Sequence, residues 1–331
     1  MSAPFDPESA AVLSPAEEAF ERGRRRAGLL LAPVVLAVLW WLPVPALSGE
    51  AHRLLAVMGA VVVLWMSEAL PMGATALLGP ALCVVAGVAP ARDAYRSFAD
   101  PIIFLFLGSF MLVEAMLKHG LNRRIAFHIL GLRWIAARPF RLYAAYGSIA
   151  IGLSMWVSNA ATTAMMLPIG IAIATEVAGR ESARLGRAVH FTAIPLATGL
   201  MLLTAFGASV GGLATPIGTP PNLIGIGLLE KTAGVRVGFF DWMRVGLPVT
   251  LVLGVFLVVH FHRRCPVGVE VLAGSREWLA GQERRLGPWT RAERVVAGVF
   301  GAAVVAWILP GVLGIVAGPG AAPARWLEER L

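Results

Sequence analysis

The chain has 331 residues, 57% of them hydrophobic and 15% charged, with a formal net charge of +8 and a mean hydropathy of +0.74. A soluble protein carries about a quarter charged residues, so this composition excludes an ordinary soluble domain. Apolar stretches near ~20 residues recur along the chain and predict an all-α polytopic membrane protein.

The positive charge does not point to nucleic acid, because the arginines lie in short runs beside apolar segments rather than on one amphipathic face. Cys83 and Cys265 offer no disulfide framework and no metal spacing, and no nucleophile-base pair or nucleotide motif suggests an enzyme or a bound cofactor.

Residues 1–26 read as a cytoplasmic tail, acidic as far as Glu21 and then basic at Arg22, Arg24, Arg25 and Arg26. The apolar run Ala27–Leu47 is long for a signal peptide and lacks a cleavage site before a soluble domain. It reads as a first membrane helix with its N-terminus in the cytoplasm. Further spans follow at about Leu54–Leu70, Ala74–Val88 and Pro101–Leu117, the last opening with a proline where a missing N–H costs nothing. A basic connector holds Lys118, Arg123, Arg124, Arg133, Arg138 and Arg141. Within it Ile125, Ile129, Leu132 and Trp134 alternate with charges at near-helical spacing, which predicts a helix along the membrane surface.

The run from Leu142 to Ala178 has one charge, Glu176, and a polar island at its centre, Ser154-Met155-Trp156-Val157-Ser158-Asn159-Ala160-Ala161-Thr162-Thr163-Ala164-Met165-Met166-Leu167-Pro168. Polar side chains at membrane depth cost several kcal/mol unless partnered or liganded, so the island is a site candidate. Its arms, Leu142–Val157 and Ala161–Ala178, would be about 24 and 27 Å long as helices, slightly short for a crossing. Arg138 and Arg141 flank one end, and Arg180, Arg184 and Arg187 the other, which places both ends in the cytoplasm. Two full crossings joined by a tight outer turn fit the charges as well. The polar tip at Ser158-Asn159-Ala160 favours a re-entrant hairpin.

From Ala188 to Leu229 there is no Asp, Glu, Lys or Arg, yet Gly207, Gly211, Gly212, Pro216, Gly218, Pro220 and Pro221 cannot share one regular helix. A helix, a glycine and proline loop, and a second helix starting near Asn222 are expected. Irregular backbone at membrane depth is tolerated where it lines a cavity, and it points to a transporter's site. A span from Gly246 to about Phe261, a basic stretch to Arg294 and a last span, Val295–Val316, complete the order. This topology puts 20 basic residues on the cytoplasmic side and 8 outside. Trp40, Trp41, Trp65, Trp242 and Trp307 read as interfacial anchors, and Glu68, Glu114 and Glu176 as solvated or structurally paired acids.

Ser154-Met155-Trp156-Val157-Ser158-Asn159-Ala160 with Met165-Met166-Leu167-Pro168 resembles the Ser-Asn-Thr motif region of the divalent anion/sodium symporter family. Gly218-Thr219-Pro220-Pro221-Asn222-Leu223-Ile224 is similar to the loop in that family's broken fifth helix. Asp100-Pro101-Ile102-Ile103-Phe104-Leu105-Phe106-Leu107-Gly108 and Gly120-Leu121 with Arg123-Arg124-Ile125-Ala126 resemble its fourth-helix region.

The resemblance implies a sodium-coupled symporter of small di- or tricarboxylates, or of sulfate in some members. It implies a homodimer in the inner or plasma membrane, built from inverted repeats that work as an elevator. Residues 27–141 would then be scaffold and surface helices, 142–262 half of a transport domain, and 263–331 a cytoplasmic loop and the start of a second repeat.

By motif position Ser154, Ser158 and Asn159, with backbone near Gly211 and Gly212, would bind sodium. Asn159 and Ala160 would meet a substrate carboxylate, with Thr219 and Asn222 shaping the cavity. The motif's threonine is Ala160 here, and no second hairpin or second broken helix follows. The chain is therefore expected to be incomplete for transport, as a fragment, a truncated frame or a separate half-transporter subunit. An inorganic-anion permease for sulfate or arsenite is the alternative substrate reading.

Overall fold

The computed structural model describes residues 14–130, 132, 138–266, 281 and 284–317. Arg133 and Trp134 of the expected surface helix, residues 267–280, 282 and 283 of the 263–294 stretch and everything after residue 317 lie outside them. Among the described residues all regular structure is helical.

Two separately packed units divide at residue 103. The first holds α1 (Pro15–Trp41), α2 (Gly49–Ser67), α3 (Met72–Val85) and α4 (Ala91–Arg96). Helix α1 starts inside the segment read as tail because Ser14 and Glu17 form a capping box. The Glu17 N–H donates to Ser14 Oγ at 3.3 Å and the Ser14 N–H to Glu17 Oε2 at 2.8 Å. The Ser14 N–H, helped by the Ser14 hydroxyl beside the carboxylate, holds the Glu17 carboxyl below its usual pKa. Gly28 lets α1 lie against α2, since a Cβ there would collide with the Ser67 side chain. Glu68 caps α2 in the left-handed region at φ 49°. Its carboxylate takes a 2.9 Å bond from Arg24, which also reaches Glu21 at 2.7 Å. Glu68 is thus structurally paired.

The second unit holds all but the first three residues of α5 (Pro101–Lys118), then α6 (Leu121–Leu130), α7 (Pro139–Ser154), α8 (Asn159–Leu185), α9 (Pro195–Gly211), α10 (Pro220–Ala233), α11 (Phe239–Arg264) and α12 (Arg291–Ala317). Proline at the first or second position opens α7, α9 and α10, where its fixed φ suits a helix start. Helix α9 lies against both α7 and α8, and α11 against α7 and α9. Their shared core buries Tyr143, Tyr146, Met166, Ile173, Leu200 and Leu203. Burying each large side chain is worth about 1.5–3 kcal/mol relative to exposing it to water. The phenol of Tyr146 pins three of these helices, donating to the Met166 carbonyl at 2.9 Å and meeting Thr204 Oγ1 at 2.6 Å.

Helix α8 runs past the expected end at Ala178 to Leu185. The Glu176–Arg180 and Glu181–Arg184 pairs, both 2.9 Å or shorter, extend it, and Gly186 at φ 64° ends it. Among the described residues four helices, Gly49–Ser67, Asn159–Leu185, Phe239–Arg264 and Arg291–Leu313, are each long and apolar enough to cross a membrane. A polytopic all-helical membrane protein is the result.

Candidate functional site

Four helix ends meet in the second unit. Helix α7 stops at Ser154, and the turn through Met155, Trp156 and Val157 leads to Ser158, which caps α8 by accepting the Ala161 N–H at 3.3 Å. Helix α9 stops at Gly211, and residues 212–219 form a break before α10 opens at Pro220. The break follows from composition, since Pro216, Pro220 and Pro221 have no N–H to continue a helical ladder.

The two interruptions are clasped to each other. Ser154 is fully buried, and its hydroxyl lies 2.7 Å from the Ala208 carbonyl in the last turn of α9 and 2.8 Å from Asn159 Oδ1. Thr215 in the break donates its hydroxyl to the Met155 carbonyl in the turn, and the same oxygen accepts the Gly218 N–H at 3.1 Å. Asn222 Nδ2 donates to the carbonyls of Gly212 at 2.7 Å and Thr215 at 2.9 Å. Helix α11 holds the break from the side. Trp242 Nε1 donates to the Leu213 carbonyl at 2.9 Å, and Thr250 Oγ1 to the Val210 carbonyl at 3.1 Å.

Glycine is required at two points of this clasp. A Cβ on Gly211 would collide with the Ile151 carbonyl of α7, and a Cβ on Gly212 would come within 2.5 Å of Asn159 Oδ1. The backbones of α7 and α9 therefore touch directly, and the Asn159 amide rests on bare backbone.

The electrostatics of this junction are mixed by design of the fold. The C-termini of α7 and α9 bring partial negative charge, while the N-termini of α8 and α10 bring partial positive charge, roughly half an elementary charge each. Around Ser154 one hydroxyl proton faces two acceptor oxygens, Asn159 Oδ1 and Ala208 O. That cluster has more lone pairs than protons, a condition a hard cation relieves. Turning the Asn159 amide over would instead offer Nδ2 to the Ser154 hydroxyl. Carbonyls and neutral side chains can hold a monovalent cation without a fixed opposing charge. Helix N-termini nearby suit an anion.

Of the residues singled out from sequence, Ser154, Asn159, Gly211, Gly212 and Asn222 come together here. Ser158 serves as the α8 cap. Ala160 is exposed on the first turn of α8, and Thr219 is the half-buried N-cap of α10 with no side-chain cap bond. The Nδ2 of Asn222 is committed to holding the break's carbonyls. Sequence reading missed Thr215, whose hydroxyl joins the break to the α7–α8 turn, and Thr250, whose hydroxyl holds the last turn of α9. Trp242, read as an interfacial anchor, is a hydrogen-bond donor to the break. Thr162, inside the polar island but given no role of its own, is 1% exposed, and its hydroxyl has no hydrogen-bond partner one turn into α8 from Asn159. Among the described residues no cluster of His, Cys, Asp and Glu suits a metal.

The chain is similar in sequence to known transporters. The chain is 33% identical over 286 residues to the sodium-dependent dicarboxylate transporter SdcS of Staphylococcus saprophyticus, covering 85% of this chain and 54% of the relative. The SdcS protein of Staphylococcus aureus strain RF122 is 32% identical over the same shares of both chains. An uncharacterized transporter of Haemophilus influenzae is 36% identical over 208 residues, covering 62% of this chain and 40% of the relative. The chain thus spans about half the length of the curated relatives it matches. A family model described as the sodium:sulfate symporter transmembrane region matches residues 24–322, and by that match the chain belongs to the divalent anion/sodium symporters, a family of transporters and not of enzymes.

Proposed function

We propose that the protein carries out sodium-coupled transport of small dicarboxylates, and that this chain contributes one sodium site and one face of the carboxylate site. The observation that carries the reading is the clasp itself. Two interrupted helix pairs, joined by Ser154 to Ala208 and Asn222 to Gly212, bring hydroxyl, amide and carbonyl oxygens together beside two helix N-termini. Sodium would take Ser154, Ser158 and Asn159 with carbonyls near Gly211 and Gly212. The substrate carboxylate would meet Asn159 and the α8 N-terminus at Ala160, with Thr219 and Asn222 behind. The naming of two relatives as sodium-dependent dicarboxylate transporters supports the choice of ion and substrate.

The arginines at both ends of 142–178 support a hairpin opening to the cytoplasm in the inner membrane, with the N-terminus cytoplasmic. A homodimer of inverted repeats moving as an elevator is the family arrangement proposed for the whole protein. An incomplete transport unit is the matching proposal for this chain, supported by its share of its relatives' length.

A second reading, an inorganic-anion permease, is favoured by Ala160, which leaves the first turn of α8 without a hydroxyl for a carboxylate. Membrane vesicles holding the chain should bind labelled succinate in sodium and not in potassium, with excess sulfate failing to displace it. Displacement by sulfate, or binding without sodium, would contradict the dicarboxylate reading.

A further inference from the structure

The turn that carries the proposed sodium ligands is held from outside by a cluster of aromatic rings. Trp156, two residues after Ser154 and two before Ser158, lies nearly parallel to Phe239 of α11 at 6.4 Å and to Trp307 of α12 at 6.4 Å. Phe239 and Trp307 stack on each other at 5.4 Å, and Phe300 meets Trp156 edge-on at 6.0 Å. All four contacts fall inside the ~4.5–7 Å range in which ring pairs attract. The next residue of the turn, Val157, is 2% exposed and packs in a separate cluster that includes Val296 of α12.

On α12 these contacts form one stripe. Val296, Phe300 and Trp307 recur at spacings of four and seven, so they share a face. Gly311 continues it, four residues further on, and a Cβ there would collide with the Phe240 ring at the start of α11. One face of α12 is therefore given over to the α7–α8 turn and the head of α11. Nothing in the Ser154–Asn159–Gly212 clasp itself requires this, because the clasp is closed by α9 and α10.

We propose that Trp156 is a positioning residue that couples the sodium site to α12. The aromatic stack fixes the turn whose ends carry Ser154 and Ser158, so sodium binds tightly only while the α12 stripe is docked. By linkage sodium in turn favours the docked stripe. This rests on the sodium-site reading above.

The test is a titration of radiolabelled sodium binding on the purified chain in lipid nanodiscs, for the unsubstituted protein, Trp307→Ala, Trp307→Phe, Trp156→Ala and the double alanine variant. Trp307 touches no proposed ligand. Its removal should weaken sodium binding about three- to tenfold, the equivalent of losing one or two ring contacts, with the maximal amount bound unchanged. Trp307→Phe should recover most of the affinity, and the double variant should be no weaker than Trp156→Ala alone. Affinities within twofold of the unsubstituted chain in both alanine variants would overturn the coupling while leaving the site. Fully additive losses would overturn it too, since independent effects are not a shared stack. Absence of sodium binding in the unsubstituted chain would overturn the site reading and the coupling together. Should Trp307→Ala fail to fold, Phe300→Leu, which removes the edge-on ring alone, should give a smaller loss in the same direction, and no loss would count against the proposal.

Discussion

Asn222 reaches back across the break to Gly212, and its side-chain amide takes the place that a backbone N–H would fill in an unbroken helix. The same nitrogen serves the Thr215 carbonyl, which also accepts the Gly218 N–H at 3.3 Å, while Pro216, four residues on from Gly212, has no N–H for the Gly212 carbonyl. Asn222→Ala should therefore destabilise the chain by about 1–3 kcal/mol, the cost of buried carbonyls left unmade. Asn222→Asp should be worse, because a carboxylate would face two carbonyl oxygens. Thermal unfolding in detergent, with proteolysis mapped to 212–219, checks both.

Gly211→Ala should sharply lower the yield of folded protein, since its methyl group would collide with the Ile151 carbonyl of the neighbouring helix. Gly225→Ala, on α10 with open space around it, should be neutral or stabilising by up to about 1 kcal/mol. Size-exclusion profiles of the two variants side by side make the comparison.

Thr162 and Ser154 should behave oppositely when their hydroxyls are removed. Thr162 Oγ1 is buried and unpartnered, so Thr162→Val should leave stability in sodium-free buffer unchanged or raised. Ser154→Ala should lower it, since the hydroxyl joins α7 to α9. Melting temperatures without sodium would show the contrast.

Arg124 of α6 holds Glu293 of α12 at 2.7 Å and also donates to the carbonyls of Leu286, Gly287 and Pro288. Both side chains of the pair are at least 90% buried. Glu293→Met or Arg124→Met alone should cost more stability than the double change to methionine, because each single change leaves a buried charge without its partner. Denaturant melts of the three variants, read as a cycle, settle the order.

Much of this architecture was legible in the residues. The proline at the start of α5 and the crowd of glycine and proline at 207–221 mark helix ends through backbone chemistry alone, and the break they predict lies at 212–219, whereas Pro139 and Pro195, which open α7 and α9, were passed over. The meeting of Ser154, Asn159 and Gly212 followed from the motif resemblance rather than from any local pattern. Arg124 shows what was hidden. In sequence it is one of several arginines in a basic connector, and its partner lies 169 residues away. Trp242 and Trp307 looked like lipid-facing anchors because an indole suits an interface and a specific contact equally well. Only the arrangement of helices separates the two. The start of α1 was misplaced because polar residues after Ser14 read as loose chain, although Ser14 and Glu17 have the spacing of a capping box.

The central claim is that the clasp between the α7–α8 turn and the α9–α10 break binds sodium. Radiolabelled sodium binding to the purified chain tests it most directly, comparing the unsubstituted protein with Asn159→Ala. The account predicts saturable binding that Asn159→Ala reduces at least about tenfold, the scale of one strong ligand lost. Equal binding by the two proteins, or none by either, would contradict it.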